Sequence, residues 1–286
     1  MTKMRLSKFV ENAALYALSY EANVTPKPGL VDRNNTGAHE DMTLPMLLSS
    51  AEAVAPLIGE CAECGFELKG ESYEDTFFAL QKIGLRAEEA MFKATNGINT
   101  HKGAVYAFCL LAGAFGRNLC DAFLTPEVIC KTASRLCEKS CMSSLLSASH
   151  SPVTHGDEAY KRAHLSGARG EALLGYPGIV KVALPALETA LQNGHTENDA
   201  GVYALLCLIS QTDDTCLFHR GGFEGLLYAK SLAFEALKED FTKNAGEIDR
   251  IFINKRLSPG GCADLLAAAM FIKILTTTKR EEYTCE

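Results

Sequence analysis

The sequence predicts an all-α protein, a single globular domain of many helices, and three observations support this prediction. Its 286 residues include 73 alanines and leucines against 21 valines and isoleucines, and unbranched side chains lose less rotamer freedom in a helix. Apolar residues recur at the spacing of one helix face, as at Leu6, Val10 and Ala13. Strict alternation of apolar and polar residues, which is typical of strands, is nowhere sustained.

These patterns place the helices in order along the chain. The first pattern ends at Thr25-Pro26, because a residue before proline avoids helical geometry. Residues 141–156 are rich in serine and poor in charge, so we expect a surface connection there, with a lid as the alternative. The predicted helices span about residues 5–22, 43–64, 73–94, 101–117, 126–140, 157–174, 179–192, 198–210, 222–239, 244–254 and 262–277.

The composition excludes several classes of protein. With 28 Lys and Arg against 35 Asp and Glu, the net charge is −7, so no nucleic-acid partner is expected. The longest stretch without a charge or histidine has 14 residues, fewer than the ~18 that a membrane span needs. The eleven cysteines are odd in number and follow no framework spacing, which indicates reduced thiols. We therefore expect one domain over residues 1–286 in the cytoplasm, with no membrane partner.

Five polar or glycine-rich clusters lie at the ends of the predicted helices, where loops can converge on one cleft. The first is PKPGLVDRNNTGAHEDM at residues 26–42, which holds Lys27, Asp32, Arg33, His39 and Asp41. A solvated loop would explain the charges. It would not favour a rigid PKPG segment followed by asparagine, glycine and histidine, so we interpret the loop as functional.

The second cluster, ATNGINTHKG, begins a helix. Asn99 or the following threonine can cap this helix, whose first turn carries His101 and Lys102. A helix N-terminus with an added lysine suits a phosphate, although a simple cap and a solvated lysine are the alternative. Glu88, one turn before Met91, would face the same cleft or only water.

The third cluster, GARGEA at residues 167–172, puts Arg169 and Glu171 in a predicted helix whose glycines cost about 1 kcal/mol each relative to alanine. This indicates a close approach, either by another helix or by a ligand whose phosphate Arg169 would bind. The remaining clusters, DTCLFHRGG and LSPGGCAD, each lead through a Gly-Gly pair into a helix. Such loops let amides approach an anion, although either alone would be an ordinary turn.

Together, the last two clusters and the second provide three helix N-termini, which favours several phosphates, and the neighbouring carboxylates favour Mg2+ with a polyphosphate. No GxxxxGK[ST], GxGxxG, GxSxG or HExxH pattern occurs, which argues against P-loop, Rossmann, serine hydrolase and zincin functions.

The same segments resemble the successive motifs of triphosphoribosyl-dephospho-CoA synthases. The similarity covers PKPGLVDRNNTGAHEDM, the Glu88–Met91 pair with ATNGINTHKGAVY, GARGEALLGYP, DTCLFHRGG and SPGGCADLLA, over about residues 10–275. Three positions depart from the family pattern. Asn96 stands where a glycine is usual, and Cys216 and Cys262 stand where asparagine and serine are expected.

The resemblance implies transfer of the triphosphoribosyl group of ATP to the 2′-hydroxyl of 3′-dephospho-CoA, with release of adenine. The product is the prosthetic-group precursor of the acyl-carrier subunit of citrate lyase or malonate decarboxylase, and a holo-acyl-carrier-protein synthase would take it up. Mg2+ is the expected cofactor, and a homodimer is possible. The alternatives are a helical nucleotide glycosyl-bond hydrolase and a non-catalytic nucleotide-binding module.

The clusters also give the expected division of roles, in which the identity of the general base stays open. The carboxylates expected in catalysis are Asp32, Asp41, Glu88 and Glu171. Substrate and phosphate contacts are expected from Lys27, Arg33, His39, Asn99, His101, Lys102, Arg169, His219, Arg220, Gly221, Gly222, Gly260 and Gly261. The expected metal ligands are Asp32, Asp41, Glu88, Asp214 and Asp264.

Overall fold

The computed structural model describes residues 3–120, 124–150 and 153–278, and it confirms the all-α prediction. Twelve α-helices give a helical content of 77%, and no strand occurs in the described ranges. A π-helical turn at Gly178–Ala183 runs directly into α8. The helices are α1 (Lys3–Asn23), α2 (Leu44–Glu67), α3 (Tyr73–Ala94), α4 (Lys102–Arg117), α5 (Pro126–His150), α6 (His155–Ala163), α7 (Gly167–Leu173), α8 (Leu184–Gln192), α9 (Glu197–Gln211), α10 (Thr215–Ala236), α11 (Phe241–Lys255) and α12 (Gly260–Thr277).

The prediction of a connection at 141–156 is wrong for its first ten residues, because α5 continues to His150. Buried Cys141 and Leu145 anchor this part of the helix against the core. The hydroxyls of Ser147 and Ser149 donate to carbonyls four residues earlier, at 3.0 Å and 3.2 Å. Their polarity is therefore satisfied within the helix, and serine content did not indicate a loop.

Two other predicted helices differ from the observed helices in their bounds and continuity. The helix predicted at 157–174 is divided into α6 and α7, because His164 and Gly167 adopt left-handed conformations with φ of 57° and 52°. α10 begins at Thr215, seven residues before the predicted start. It is interrupted at Gly222, where φ is 64° and ψ is −164°, so its second half begins where the sequence predicted a helix.

The core is centred on α4 and α12. Their Phe108 and Phe271 rings stack with centroids 4.6 Å apart. α2 crosses α4 so closely that a Cβ on Gly65 would lie 1.9 Å from the Gly113 carbonyl oxygen, which explains glycine there. By length and composition, α12 is apolar enough to cross a membrane, but 61% of this 18-residue helix is buried inside the protein. This burial is typical of a core helix.

Candidate active site

A cavity of about 450 Å3 opens between α4, α7, the π-helical turn, the start of α10 and the start of α12. Four of the five sequence clusters contribute to its wall, the second of them through Gly103. The residues of the predicted site that line it are Glu171, Asp214, Gly261 and Asp264. The structure therefore brings together carboxylates from the GARGE, DTCLFHRGG and SPGGCAD segments.

Asp214 is the N-cap of α10 and also contacts the first turn of α12. Its Oδ1 accepts hydrogen bonds from the backbone N–H groups of Cys216 at 2.7 Å and Leu217 at 3.0 Å. Its Oδ2 accepts from Cys262 N–H at 2.8 Å. Burial raises the pKa of this carboxyl and outweighs these amide contacts, which lower it. One internal carboxylate thus occupies two helix N-termini that the sequence assigned to phosphates.

Asp264 lies against the start of α4. A Cβ on Gly103 would lie 2.0 Å from Asp264 Oδ2, so glycine is required for this approach. The backbone N–H of Ala104 also contacts the carboxyl group. Burial, followed by the nearby charges of Glu21 and Asp214, raises the pKa of Asp264 well above its usual range. A cation, a proton or a positively charged reaction centre would offset the unfavourable free energy of burying the ionised carboxylate.

Glu171 is held by the π-helical turn. Its Oε2 accepts a hydrogen bond from Gly178 N–H at 3.0 Å, and burial raises the pKa of its carboxyl group. Pro177 precedes this turn and Gly178 begins it, and both residues line the cavity with Glu171. The acidic wall is therefore built from rigid elements, as precise positioning of a substrate requires.

None of the five lysines and arginines expected to contact substrate or phosphate lines this cavity, and each has a partner within the protein. Lys27 is buried and pairs with Glu21 at 2.5 Å. Lys102 pairs with Glu88 at 2.9 Å across α3 and α4. Arg169 Nη2 pairs with Asp157 Oδ1 at 2.6 Å, and its Nη1 donates to Ser144.

Arg220 connects residues 26–42, which we call the PKPG loop, to the turn before α12. Its Nη1 donates to the carbonyls of Ala38 at 3.0 Å and Arg256 at 3.3 Å, and its Nη2 lies 3.4 Å from His39 Nδ1. The Nε2 of His39 lies 2.9 Å from Ser258 Oγ. Burial and Arg220 lower the pKa of His39. The loop thus contacts the SPGG turn, whose Gly261 lies beside Asp214 in the cavity.

Within the PKPG loop, the Asp32 carboxylate accepts hydrogen bonds from the backbone of the loop. Its two oxygens accept hydrogen bonds from the N–H groups of Lys27, Asn34 and Asn35 at 2.7–3.1 Å. Arg33 is exposed and donates to Asn198 at 2.9 Å. Asp41 is exposed and does not line the cavity. Their predicted roles toward metal or substrate stay predictions.

The INTHKG segment is folded around a buried imidazole. His101 Nδ1 lies 2.8 Å from Ser50 Oγ, and Asn99 Oδ1 accepts from Lys102 N–H at 3.3 Å. Burial and the charge of Lys27 lower the pKa of His101 to about 4, so its ring is neutral at pH 7. Its Nε2 is buried and has no hydrogen-bond partner among the described residues.

The remaining predicted positions lie on and beside α10. His219 is exposed on the first half of this helix. A Cβ on Gly221 would lie 2.6 Å from a Leu257 methyl group, whereas Gly222 is surrounded by open space. A Cβ on Gly260 would lie 3.1 Å from Cys216 Sγ. Gly221 and Gly260 thus allow close packing.

Comparison with known proteins identifies the family. Residues 7–282 match the family described as ATP:dephospho-CoA triphosphoribosyl transferase. The chain belongs to this family. A 2-(5''-triphosphoribosyl)-3'-dephosphocoenzyme-A synthase from Pectobacterium atrosepticum is 35% identical over 260 residues, which cover 90% of this chain and 86% of the relative. A protein from Vibrio cholerae serotype O1, named as a probable synthase of the same kind, is 36% identical over 275 residues, with 93% and 88% covered.

The fold is also similar to a solved structure. The crystal structure of a candidate triphosphoribosyl-dephospho-CoA synthase from Archaeoglobus fulgidus gives a TM-score of 0.53 at 18% identity. It covers 80% of this chain and 99% of the archaeal chain. At this identity the likeness shows the fold alone. The family membership predicted from the five sequence clusters is confirmed.

Sequence reasoning missed two acidic residues that contact the PKPG loop and one lysine that lines the cavity. Glu21 pairs with Lys27 at the end of α1, and Asp249 on α11 accepts from Gly29 N–H at 2.9 Å. Both lie in ordinary amphipathic helices, so no local signal was available. Lys181 lines the cavity, and its only signal was the Pro177-Gly178 break before it.

Proposed function

We propose that this chain transfers the triphosphoribosyl group of ATP to the 2′-hydroxyl of 3′-dephospho-CoA and releases adenine. The observation that supports this most is the convergence of Glu171, Asp214 and Asp264 on one cavity in a chain of this family. These carboxylates come from three separate motifs, and burial raises the pKa of each. Such a wall suits a reaction centre that becomes positive.

The chemistry of glycosyl transfer matches an acidic cavity. The bond from the ribose anomeric carbon to adenine breaks, and a bond from that carbon to the acceptor 2′-oxygen forms. The transition state resembles an oxocarbenium ion, which nearby carboxylates stabilise. The acceptor proton passes to a carboxylate, and adenine takes up a proton as it leaves. Glu171 and Asp264 suit this exchange because burial raises their affinity for protons.

Mg2+ stays part of the proposal. Among the described residues, no three His, Cys, Asp or Glu side chains form a group that could hold a metal by themselves. Mg2+ bound with nucleotides needs only one or two carboxylates, because phosphates supply other ligands. Asp264 fits best in the predicted set, since it lines the cavity and Asp214 already accepts three amides. When bound, the ion would neutralise phosphate charge.

Further parts of the proposal concern the surroundings of the enzyme. The ten described cysteines are free thiols, which supports a reducing compartment such as the cytoplasm. A holo-acyl-carrier-protein synthase would use the product. The exposed side chains of Phe223, Leu227 and Phe234 form one stripe on α10, which supports a homodimer through this face.

Product analysis tests the function directly. The purified chain, ATP, Mg2+ and 3′-dephospho-CoA should yield adenine and a larger CoA derivative in equal amounts, without ADP or pyrophosphate. Chromatography with mass detection measures all four. Adenine formed without dephospho-CoA would indicate the hydrolase, and ADP as the stoichiometric product would indicate phosphoryl transfer. Absence of any product would favour the remaining alternative, a non-catalytic nucleotide-binding module.

A further inference from the structure

The carboxylates of the cavity already have donors within the protein. Backbone N–H groups contact Asp214, Glu171 and Asp264, and Lys230 pairs with Asp213 at 2.7 Å. Apart from an Mg2+ ion at Asp264, a triphosphate that enters this cavity would therefore meet four acidic side chains without an unpaired lysine or arginine beside them. Repulsion would move the phosphates that the ion does not hold away from these carboxylates.

Lys181 differs from every other residue of the cavity wall. In the part of the chain that the structure describes, it is the single lysine or arginine lining the cavity. It has no hydrogen bond or ion pair with the described residues, and its side chain is exposed. It lies in the π-helical turn, three residues after Gly178, whose N–H donates to Glu171. π-Helical turns are frequent at functional sites.

We infer that Lys181 binds the phosphate chain of a nucleotide substrate at the rim of this cavity. The inference rests on the proposed function, because it names how that function orients its substrate. An ammonium group at the rim attracts phosphates while the inner carboxylates repel them, so the nucleotide enters with its phosphates outward. The reacting ribose then lies toward Glu171 and Asp264. Lysine is well suited to this contact because it binds phosphate as a point charge.

Steady-state kinetics of three variants test the inference. Lys181→Ala and Lys181→Gln should raise the KM for one nucleotide about tenfold, with kcat nearly unchanged. This is the lower end for a charge-assisted contact, since solvent screens an exposed lysine. Lys181→Arg should keep most of the affinity. The matched control is Lys131→Ala on α5, an exposed lysine that does not line the cavity.

The two substrates give separate outcomes. A rise in the KM for ATP alone identifies the triphosphate as the ligand, and a rise for dephospho-CoA alone identifies its diphosphate. Both outcomes support the inference. The difference from the wild type should also narrow as KCl is raised from about 50 to about 500 mM. Equal KM values for both substrates in Lys181→Ala and Lys131→Ala would overturn it.

Direct binding separates this inference from the proposed function. Isothermal calorimetry with inorganic tripolyphosphate measures phosphate binding without turnover. If the wild type releases no adenine, the proposed function fails, and the calorimetric difference between Lys181→Ala and the wild type still decides the inference. A loss of about tenfold supports it, and equal affinity overturns it. Thermal melts verify that each variant is folded.

Discussion

The Oδ2 atom of Asp214 accepts a hydrogen bond from the backbone N–H of Cys262 at 2.8 Å, although the two residues lie at the N-terminal ends of different helices. Its Oδ1 atom accepts from two amides of α10. A single carboxylate therefore closes the first turns of α10 and α12 and joins them at the cavity. The positive ends of these helices stabilise a protein carboxylate instead of a ligand phosphate.

Replacing Asp214 should weaken the fold. Asp214→Ala leaves three N–H groups without their acceptor, and we expect a loss of about 2–4 kcal/mol in the free energy of unfolding. Asp214→Asn keeps one carbonyl oxygen and should lose less. Urea denaturation at pH 7 measures both. An Asp214→Ala variant as stable as the wild type would show that water replaces the carboxylate without cost.

Gly103 should be essential for the position of Asp264. Gly103→Ala places a Cβ 2.0 Å from Asp264 Oδ2, so the carboxylate must move and turnover should fall by more than about tenfold. Overpacking should also cost about 1–3 kcal/mol of stability. In the control Gly84→Ala on α3, the new Cβ meets only Cys109 Sγ at 3.6 Å. That variant should gain about 0.5–1 kcal/mol and keep its activity.

The contact between Asp157 and Arg169 should make the free energy of unfolding depend on pH in the acidic range. Burial opposes ionisation of Asp157, but Arg169 and the amides of Thr154 and Val153 lower its pKa to about 2. Its contribution, up to roughly 2 kcal/mol, is present above pH ~4 and is lost as the pH falls through about 2. The stability gap between wild type and Asp157→Asn should therefore begin to shrink as the pH falls from about 4 to 3.

Urea titrations from pH 3 to pH 7 measure this gap. Glu60→Gln serves as the control, because solvent screens the exposed Glu60–Arg86 pair and its loss should change stability little at any pH. A gap for Asp157→Asn that stays constant down to pH 3 would contradict the assignment of the acid dependence to this carboxyl group.

Local signals explain which helices the sequence predicted well. For α3 the predicted and observed bounds are both 73–94, because Ser72 caps the helix by accepting from Asp75 N–H at 3.0 Å. Asn96 has a φ of 53°, a left-handed conformation that glycine adopts readily and asparagine tolerates. The extension of α5 lacked such a signal, because it depends on tertiary burial of Cys141 and Leu145.

The sequence predicted which segments form the site, but it did not predict the ion pairs that their side chains make. Sequence reasoning predicted a cleft formed by loops and helix N-termini, and Glu171, Asp214 and Asp264 do line one cavity. It could not predict that Lys27 pairs with Glu21 or that Arg169 pairs with Asp157. Such pairs depend on how helices pack, and a lysine or arginine in a motif suits a phosphate and a carboxylate equally well.

Asp264 should limit stability while serving the reaction. Burial raises its pKa, so the stability contributed by its protonated form is present below pH ~4 and is lost as the pH rises through the raised value. Asp264→Asn cannot ionise and avoids this loss. In EDTA, the variant should match the wild type near pH 4 and exceed it in thermal midpoint at pH 8, because it keeps the shape of the side chain without a buried charge. Turnover at saturating ATP should nevertheless collapse, since the proposed reaction needs the carboxylate beside the sugar. A variant that is less stable than the wild type at pH 8, or one that keeps near-normal turnover, would contradict this view of Asp264.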